Sequence, residues 1–217
     1  CLLSVRCFAP RGGGDGAQQL YGGHADRNAI ATLVTHLRHS EAAVLGNGDI
    51  WTASDALDMM AATGCDGVVV GRGCLGRPWL SGQLAAAFTG RPIPNDPNLA
   101  EVADVMRRHC AYLVEILGAD RGPRDFRKHV AWYLKGFSVP HHVRVALAHV
   151  RNEAELDHLL TEIDLNQPFP AAAGRNPRGR TSGGRAVSLP YGWLDSRVSD
   201  VHQRAVVAAG EQHSSGG

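Results

Sequence analysis

The stretch GVVVGRGCLG, residues 67–76, decides how the chain is read. It is an apolar run that ends in G-x-G-x-x-G, with glycines at 71, 73 and 76. That spelling is the dinucleotide-binding fingerprint, in which a strand, a glycine turn and a helix N-terminus hold a pyrophosphate. The fingerprint also needs a βαβ unit and an acidic residue about 20 residues further on, at the end of the next strand. Here the segment after Gly76 runs into FTGRPIPNDPN (88–98), and no further strand follows. Asp96 stands at about the right distance, but in a proline-rich linker. The motif also falls late in its α/β region, whereas the fingerprint opens one. These residues argue for a phosphate other than that of a dinucleotide.

Outward from this stretch, helices and short apolar runs alternate. Ile30, Leu33, Val34 and Leu37 share one face of a helix predicted from Asp26 to Leu37. AAVLGN (42–47) reads as a buried strand and TASDALDMMAATG (52–64) as a helix, with Thr52 or Ser54 as cap and Gly64 as its stop. DGVVVG (66–71) is a second strand and RPWLSGQLAAAFTG (77–90) a further helix. Strands apolar on both faces suit a parallel sheet covered by helices. Both end in glycine-rich loops, Gly46-Asn47-Gly48-Asp49 and Gly71-Arg72-Gly73, and ligands of parallel α/β folds sit at that end of the strands. Two neighbouring loops of this kind, as after strands 7 and 8 of a (β/α)8 barrel, form a phosphate site. Glycines let backbone N–H groups approach, a helix terminus adds positive potential, and Arg72 adds a charge-assisted contact. The competing reading is two ordinary tight turns.

GRPIPNDPN (90–98) has three prolines in nine residues and reads as a linker. Beyond it the pattern is helical. Leu99, Val102, Val105, Met106, Leu113, Ile116 and Leu117 form one apolar stripe, and Phe126, Val130, Tyr133, Leu134 and Phe137 another. Further helices are expected near 141–149 and from Asn152, where Glu155 has capping-box spacing. Between Arg121 and Arg151 there are seven Lys/Arg and one acid, Asp125. Arg124, Arg127, Lys128 and Lys135 cluster on one helical face opposite the apolar one, either to meet phosphates or simply to meet water. From Pro168 the composition turns to Pro, Gly, Arg and Ser, which predicts a disordered tail. The island LPYGWLD (189–195) within it carries no assigned role.

With 44% hydrophobic residues in 217, the chain can build a packed core, and its net charge of +1 selects no partner. The five cysteines are odd in number and lack C-x-x-C spacing, which argues against a cysteine metal site and a disulfide framework and suits a reduced, cytoplasmic protein. His141 and His142 are adjacent and badly matched to one metal, so none is expected. No apolar run approaches the roughly 20 residues of a membrane helix, and no signal peptide is visible. The chain does not begin with Met, and is expected to start inside a longer protein.

A resemblance sharpens these expectations. VLGNGDIWTASDALDMMAATGCDGVVVGRGCLGRPWL (44–80) resembles the tRNA-dihydrouridine synthase family, which carries N-G-D-I, then G-x-D-G-V-M-I-G-R-G, then G-x-P-W. FRKHVAWYLKGF (126–137) resembles the family's R-K-H…W-Y-x-x-G signature, and QQLYGGHADRNAI (18–30) resembles Q-x-Y-x-G-x-A-D-W-x-x-I, with Arg27 in place of tryptophan. The likeness runs from about Gln18 to Phe169. It implies an α/β fold: the C-terminal portion of a (β/α)8 TIM barrel, a small all-α helical domain, and a disordered tail. The corresponding boundaries are an atypical segment 1–19, the last βα units at 20–90, a helical tRNA-binding domain at 99–165 and the tail at 168–217.

The resemblance further implies a flavoprotein oxidoreductase of tRNA processing. FMN is the implied cofactor, bound by Asn47, Gly48, Asp49, Gly71 and Arg72, and NADPH the reductant. Hydride reaches C6 of a uracil in tRNA and a cysteine protonates C5. Arg124, Arg127, Lys128 and Lys135 become the RNA-binding residues, in a family expected to be monomeric. The family's catalytic cysteine lies in N-x-G-C-P, which this sequence lacks, so no catalytic residue is assigned and the chain alone is expected to be inactive. Cys74, expected at a helix start, is read as structural. The alternatives are an RNA-binding remnant without flavin, and another FMN-dependent barrel acting on a small metabolite.

Overall fold

In the computed structural model the described residues are 2–5, 17–18, 24–175 and 185–186. The strands are β1 (Leu2–Val5), β2 (Ala17–Gln18), β3 (Ala43–Asn47), β4 (Gly67–Val69) and β5 (Arg185–Ala186). The helices are α1 (Arg27–Leu37), α2 (Ala53–Thr63), α3 (Leu80–Phe88), α4 (Leu99–Leu117), α5 (Arg121–Tyr133), α6 (His141–Leu147), α7 (Glu153–Thr161) and α8 (Ala171–Arg175), with a 3-10 turn at Arg72–Cys74. The chain divides into two units, residues 1–12 with 21–182 and residues 13–20 with 183–217. In the smaller unit β2 pairs antiparallel with β5, Ala17 opposite Ala186.

The larger unit holds a three-stranded parallel sheet in the order β1-β3-β4. Local chemistry sets its register. The Asp66 carboxylate accepts from the Val44 amide (2.7 Å) while the Asp66 amide donates to the Val44 carbonyl (2.9 Å), clasping the starts of β3 and β4. Leu45 then lies opposite Gly67, and Asn47 opposite Val69, so both strands end side by side. The crossover helix α2 has a complete capping box between Thr52 and Asp55 and stops at Gly64, in the left-handed conformation. Asp26 caps α1 by accepting from the Asn28 and Ala29 amides. Ile30, Val44, Ile50, Ala56, Met59 and Cys65 form the core beneath the sheet. The expectation of strands buried on both faces does not hold for β3 or β4: β3 alternates half-buried with buried positions, and β4, an end strand, is half-buried throughout. Strand β1, inside the segment taken as atypical, is a finding of the structure; four residues are too few to display a period.

A second core joins α4 to α7 around Leu99, Met106, Phe126, Leu134, Leu147 and Leu160. The α4 stripe is shorter than its sequence suggests. Leu99, Val102 and Met106 are buried, but Ile116 is 76% exposed, because among the described residues no apolar element covers that position of the last turn. On α5 the expected face of Phe126, Val130 and Tyr133 is buried; Leu134, Lys135 and Phe137 follow after the helix has ended. Asn152 caps α7 by accepting from the Glu155 amide, but Glu155 accepts from Arg151 rather than from Asn152, so the box is half-formed.

The linker is docked rather than loose. Asp96 Oδ1 accepts from Arg77 Nη2 (3.2 Å), Trp79 Nε1 (3.0 Å) and Gln83 Nε2 (3.2 Å). Nor does order stop at Pro168. Phe169 meets Trp79 and Phe137 edge to face, with centroids 5.9 and 5.8 Å apart, and α8 follows with Ala173 buried. The aromatic ring anchors a stretch whose composition reads as tail. The rest of that tail, residues 176–184 and 187–217 including LPYGWLD, lies outside the described residues. Among the described residues no helix is long and apolar enough to cross a membrane.

Gly76 joins the two cores. Its φ is +64°, and a Cβ there would collide with the Trp132 carbonyl and the Tyr133 amide nitrogen, so the loop rests directly on the α5 backbone.

Asp96→Ala leaves Arg77 buried without its carboxylate, and is expected to lower unfolding free energy by about 2 kcal/mol. Asp96→Asn, which keeps an acceptor, is expected to lose less. Urea unfolding of the two variants checks this; equal losses would refute a charge-specific role.

Candidate functional site

The ends of β3 and β4 present two loops to one pocket. In the first, Gly48 and Asp49 both have positive φ, +123° and +52°. The Asp49 carboxylate is held by the Ala25 amide (2.7 Å) and lies 3.3 Å from His24 Nδ1. Beyond it, Asp55 Oδ2 accepts from the Trp51 and Thr52 amides (2.9 and 2.8 Å), fixing where the loop enters α2. The second loop is Gly71 and the 3-10 turn. Gly73 is buried, and a Cβ there would collide with the Ile50 carbonyl oxygen. The two loops therefore pack main chain to main chain, which only glycine permits.

The pocket between them has a volume of about 260 Å³. All five expected cofactor residues, Asn47, Gly48, Asp49, Gly71 and Arg72, line it. So do Gly73, which the sequence places in the second loop, and Trp51, which sequence reasoning did not assign to the site. The Arg72 guanidinium carbon lies 5.3 Å from the centre of the Trp51 ring, a cation–π distance. Gly71 faces open space, since a Cβ there would meet nothing within 4 Å. A positive side chain and a glycine facing open space suit the pocket to a phosphate, while the Asp49 carboxylate is bonded to the Ala25 amide.

Two expectations are corrected here. No long helix starts at the second loop: α3 begins only at Leu80, so its terminus adds no potential at Gly71–Gly73. Cys74 correspondingly ends the 3-10 turn rather than opening a helix, and burial raises its thiol pKa above the ordinary value, against a weaker opposing effect of Arg77. Cys65 and Cys110 are buried.

The four basic residues are not equivalent. Arg124 and Lys128 are exposed, Arg124 Nε donating to the Asp120 carbonyl (2.7 Å) and Lys128 pairing with Asp125 (3.2 Å). Arg127 is half-buried and donates to the Val150 carbonyl (2.7 Å), tying α5 to the start of the α7 segment. Lys135 lies past the end of α5, half-buried.

A second cavity, of about 590 Å³, opens between the 74–79 loop and helices α4 and α5. Trp79, Val105, Arg108, His109, Tyr112, His129 and Tyr133 are among its lining residues. The Tyr133 hydroxyl and His109 Nδ1 are hydrogen-bonded at 3.0 Å, and the His109 and His129 rings meet with centroids 4.6 Å apart. Burial, with His109 and Lys128 nearby, pushes His129 down to about 4, and burial lowers His109 as well. Burial pushes the Tyr133 phenol up to about 12. Among the described residues no three His, Cys, Asp or Glu side chains are grouped to hold a metal.

Comparison with known proteins adds a third line. Residues 14–169 match the model of the dihydrouridine synthase family. A probable tRNA-dihydrouridine synthase of Mycobacterium leprae is 56% identical over 178 residues, covering 82% of this chain and 46% of that protein. The probable tRNA-dihydrouridine synthase of Mycobacterium tuberculosis H37Rv is 53% identical over 188 residues, covering 85% and 48%. The tRNA-dihydrouridine synthase B of Pasteurella multocida is 38% identical over 93 residues, covering 43% and 28%. The chain thus spans about half the length of the mycobacterial relatives.

The lowered His129 pKa has a measurable sign. The unfolded chain binds a proton near pH 6.5 and the folded chain only near 4, so stability falls as pH drops through that window. His129→Gln is expected to show a shallower loss of Tm between pH 7 and pH 5 than the parent chain. Identical slopes in thermal melts would sink this assignment.

Proposed function

Because the chain belongs to the dihydrouridine synthase family, we propose that it is the C-terminal part of an FMN-dependent, NADPH-linked oxidoreductase that reduces uridine in tRNA to 5,6-dihydrouridine. The observation that carries the cofactor assignment is the convergence of Asn47, Gly48, Asp49, Gly71 and Arg72 on one pocket. Three parallel strands in sequential order, β1-β3-β4, support a reading of this region as part of a (β/α)8 barrel. A pocket after two adjacent strands is where such barrels hold a single phosphate.

The residues present fit the phosphate end of FMN. Gly71 leaves room for close approach, and Arg72 supplies charge from beside Trp51. Asp49 braces the first loop, its carboxylate accepting from the Ala25 amide. Gly73, pressed on Ile50, keeps the two halves of the cradle at fixed spacing. When bound, FMN supplies the hydride chemistry of the reaction. The acid that completes it stands, in this family, in an N-x-G-C-P motif that these 217 residues do not contain. The activity proposed is therefore that of the whole protein, acting in the cytoplasm where tRNA and NADPH meet. Exposed Arg124 and Lys128 on α5 are the basic residues best disposed to meet tRNA phosphates.

Titration of the chain with FMN and with riboflavin, followed by flavin fluorescence, tests the cradle. FMN is expected to bind at least about tenfold more tightly than riboflavin, and Arg72→Ala to remove most of that difference. Equal affinity for the two flavins would overturn the phosphate assignment.

A further inference from the structure

The cavity against α4 and α5 has no part in the flavin cradle. Its volume of about 590 Å³ lies within the range of roughly 300–1,000 Å³ usual for small-ligand sites. Its lining is largely apolar and aromatic, with polar groups at few points and no carboxylate. Trp79 and Tyr112 are aromatic rings in that lining, and Tyr112 is 61% exposed on α4. His109 is oriented by its bond to the Tyr133 hydroxyl, with His129 against it. Arg108 at the exposed side has no carboxylate partner among the described residues.

We propose that this cavity is a stacking pocket for an unpaired nucleobase of RNA, with Tyr112 and Trp79 as its faces and Arg108 meeting the attached phosphate. The proposal rests on the reading of RNA as the substrate. Unpaired bases are bound by aromatic faces and arginine, with polar side chains at the base edge, and the cavity combines these. Neutral imidazoles offer both a donor and an acceptor to such an edge, and the low pKa values of His109 and His129 keep them neutral at pH 7. The absence of carboxylates disfavours a cationic ligand and leaves the cavity open to one carrying phosphate. Helix α5, which forms one wall, also carries Arg124 and Lys128, so a strand seated in the cavity has cations along the same helix.

The test compares a fluorescently labelled single-stranded oligouridylate with an abasic strand of equal length and charge, by anisotropy at low salt. Loss of the bases is expected to weaken binding about tenfold. Tyr112→Ala, an exposed position whose truncation opens no core, is expected to weaken the base-containing strand about tenfold and leave the abasic strand unchanged. Ile116→Ala, one turn further along α4 and outside the cavity, is expected to change neither. Equal binding of the two strands, or equal loss of both in Tyr112→Ala, overturns the pocket. So does absence of binding by either strand, which leaves the flavin reading to its own titration. Displacement of the oligouridylate by NADPH at comparable affinity would transfer the base to a cofactor and overturn the assignment to RNA.

Discussion

A guanidinium sealed from water is costly unless nearly all its donors are answered. Arg77, 2% exposed, is such a group, and the segments that answer it are far apart in sequence. Nη1 donates to the Trp51 carbonyl (2.6 Å) and to the Gly174 carbonyl (2.8 Å), Nη2 to Asp96, and the guanidinium carbon lies 5.6 Å from the Phe169 ring centre. Only Nε is left without a hydrogen bond. One side chain thereby holds the first loop, the linker and α8. A lysine has a single nitrogen and cannot reach in so many directions at once.

The consequence for the cradle is indirect but firm. Trp51 is the ring beneath Arg72, and its backbone is held from both sides, by Asp55 at the amide and by Arg77 at the carbonyl. A phosphate-binding arginine is useful only if it is aimed before the ligand arrives. The R-P-W sequence that follows the glycine loop therefore serves the loop before it: Arg77 steadies Trp51, and Trp79 joins Asp96 to the aromatic cluster with Phe169.

Much of this was legible in residue order. Caps at Thr52 and Asn152, the stop at Gly64 and the apolar face of α5 are local signals, and local physics honours them. The two glycine loops were legible as a pair because parallel strands place their ends together. What stayed hidden depends on partners distant in sequence. Asp96 looks like part of a proline linker, since nothing near it names Arg77 as its mate. Ile116 keeps the period of α4, but periodicity records what a helix can bury, not what is there to cover it. Phe169 was lost in a tail-like composition although two rings clasp it. Leu2–Val5 has hydrogen-bonding partners but too few residues to announce a strand. Trp51 carried no signal at all, because its role is set by Arg72 crossing from the next loop.

The contact at Gly76 has a different bearing. What a side chain there would strike is main chain, the Trp132 carbonyl and the Tyr133 amide, rather than the rings those residues carry. A crowded side chain can be relieved by trimming its neighbour; a crowded backbone cannot. No second-site change at 132 or 133 can therefore rescue a larger residue at 76, and the three positions are free of one another in the choice of side chain while bound together in space.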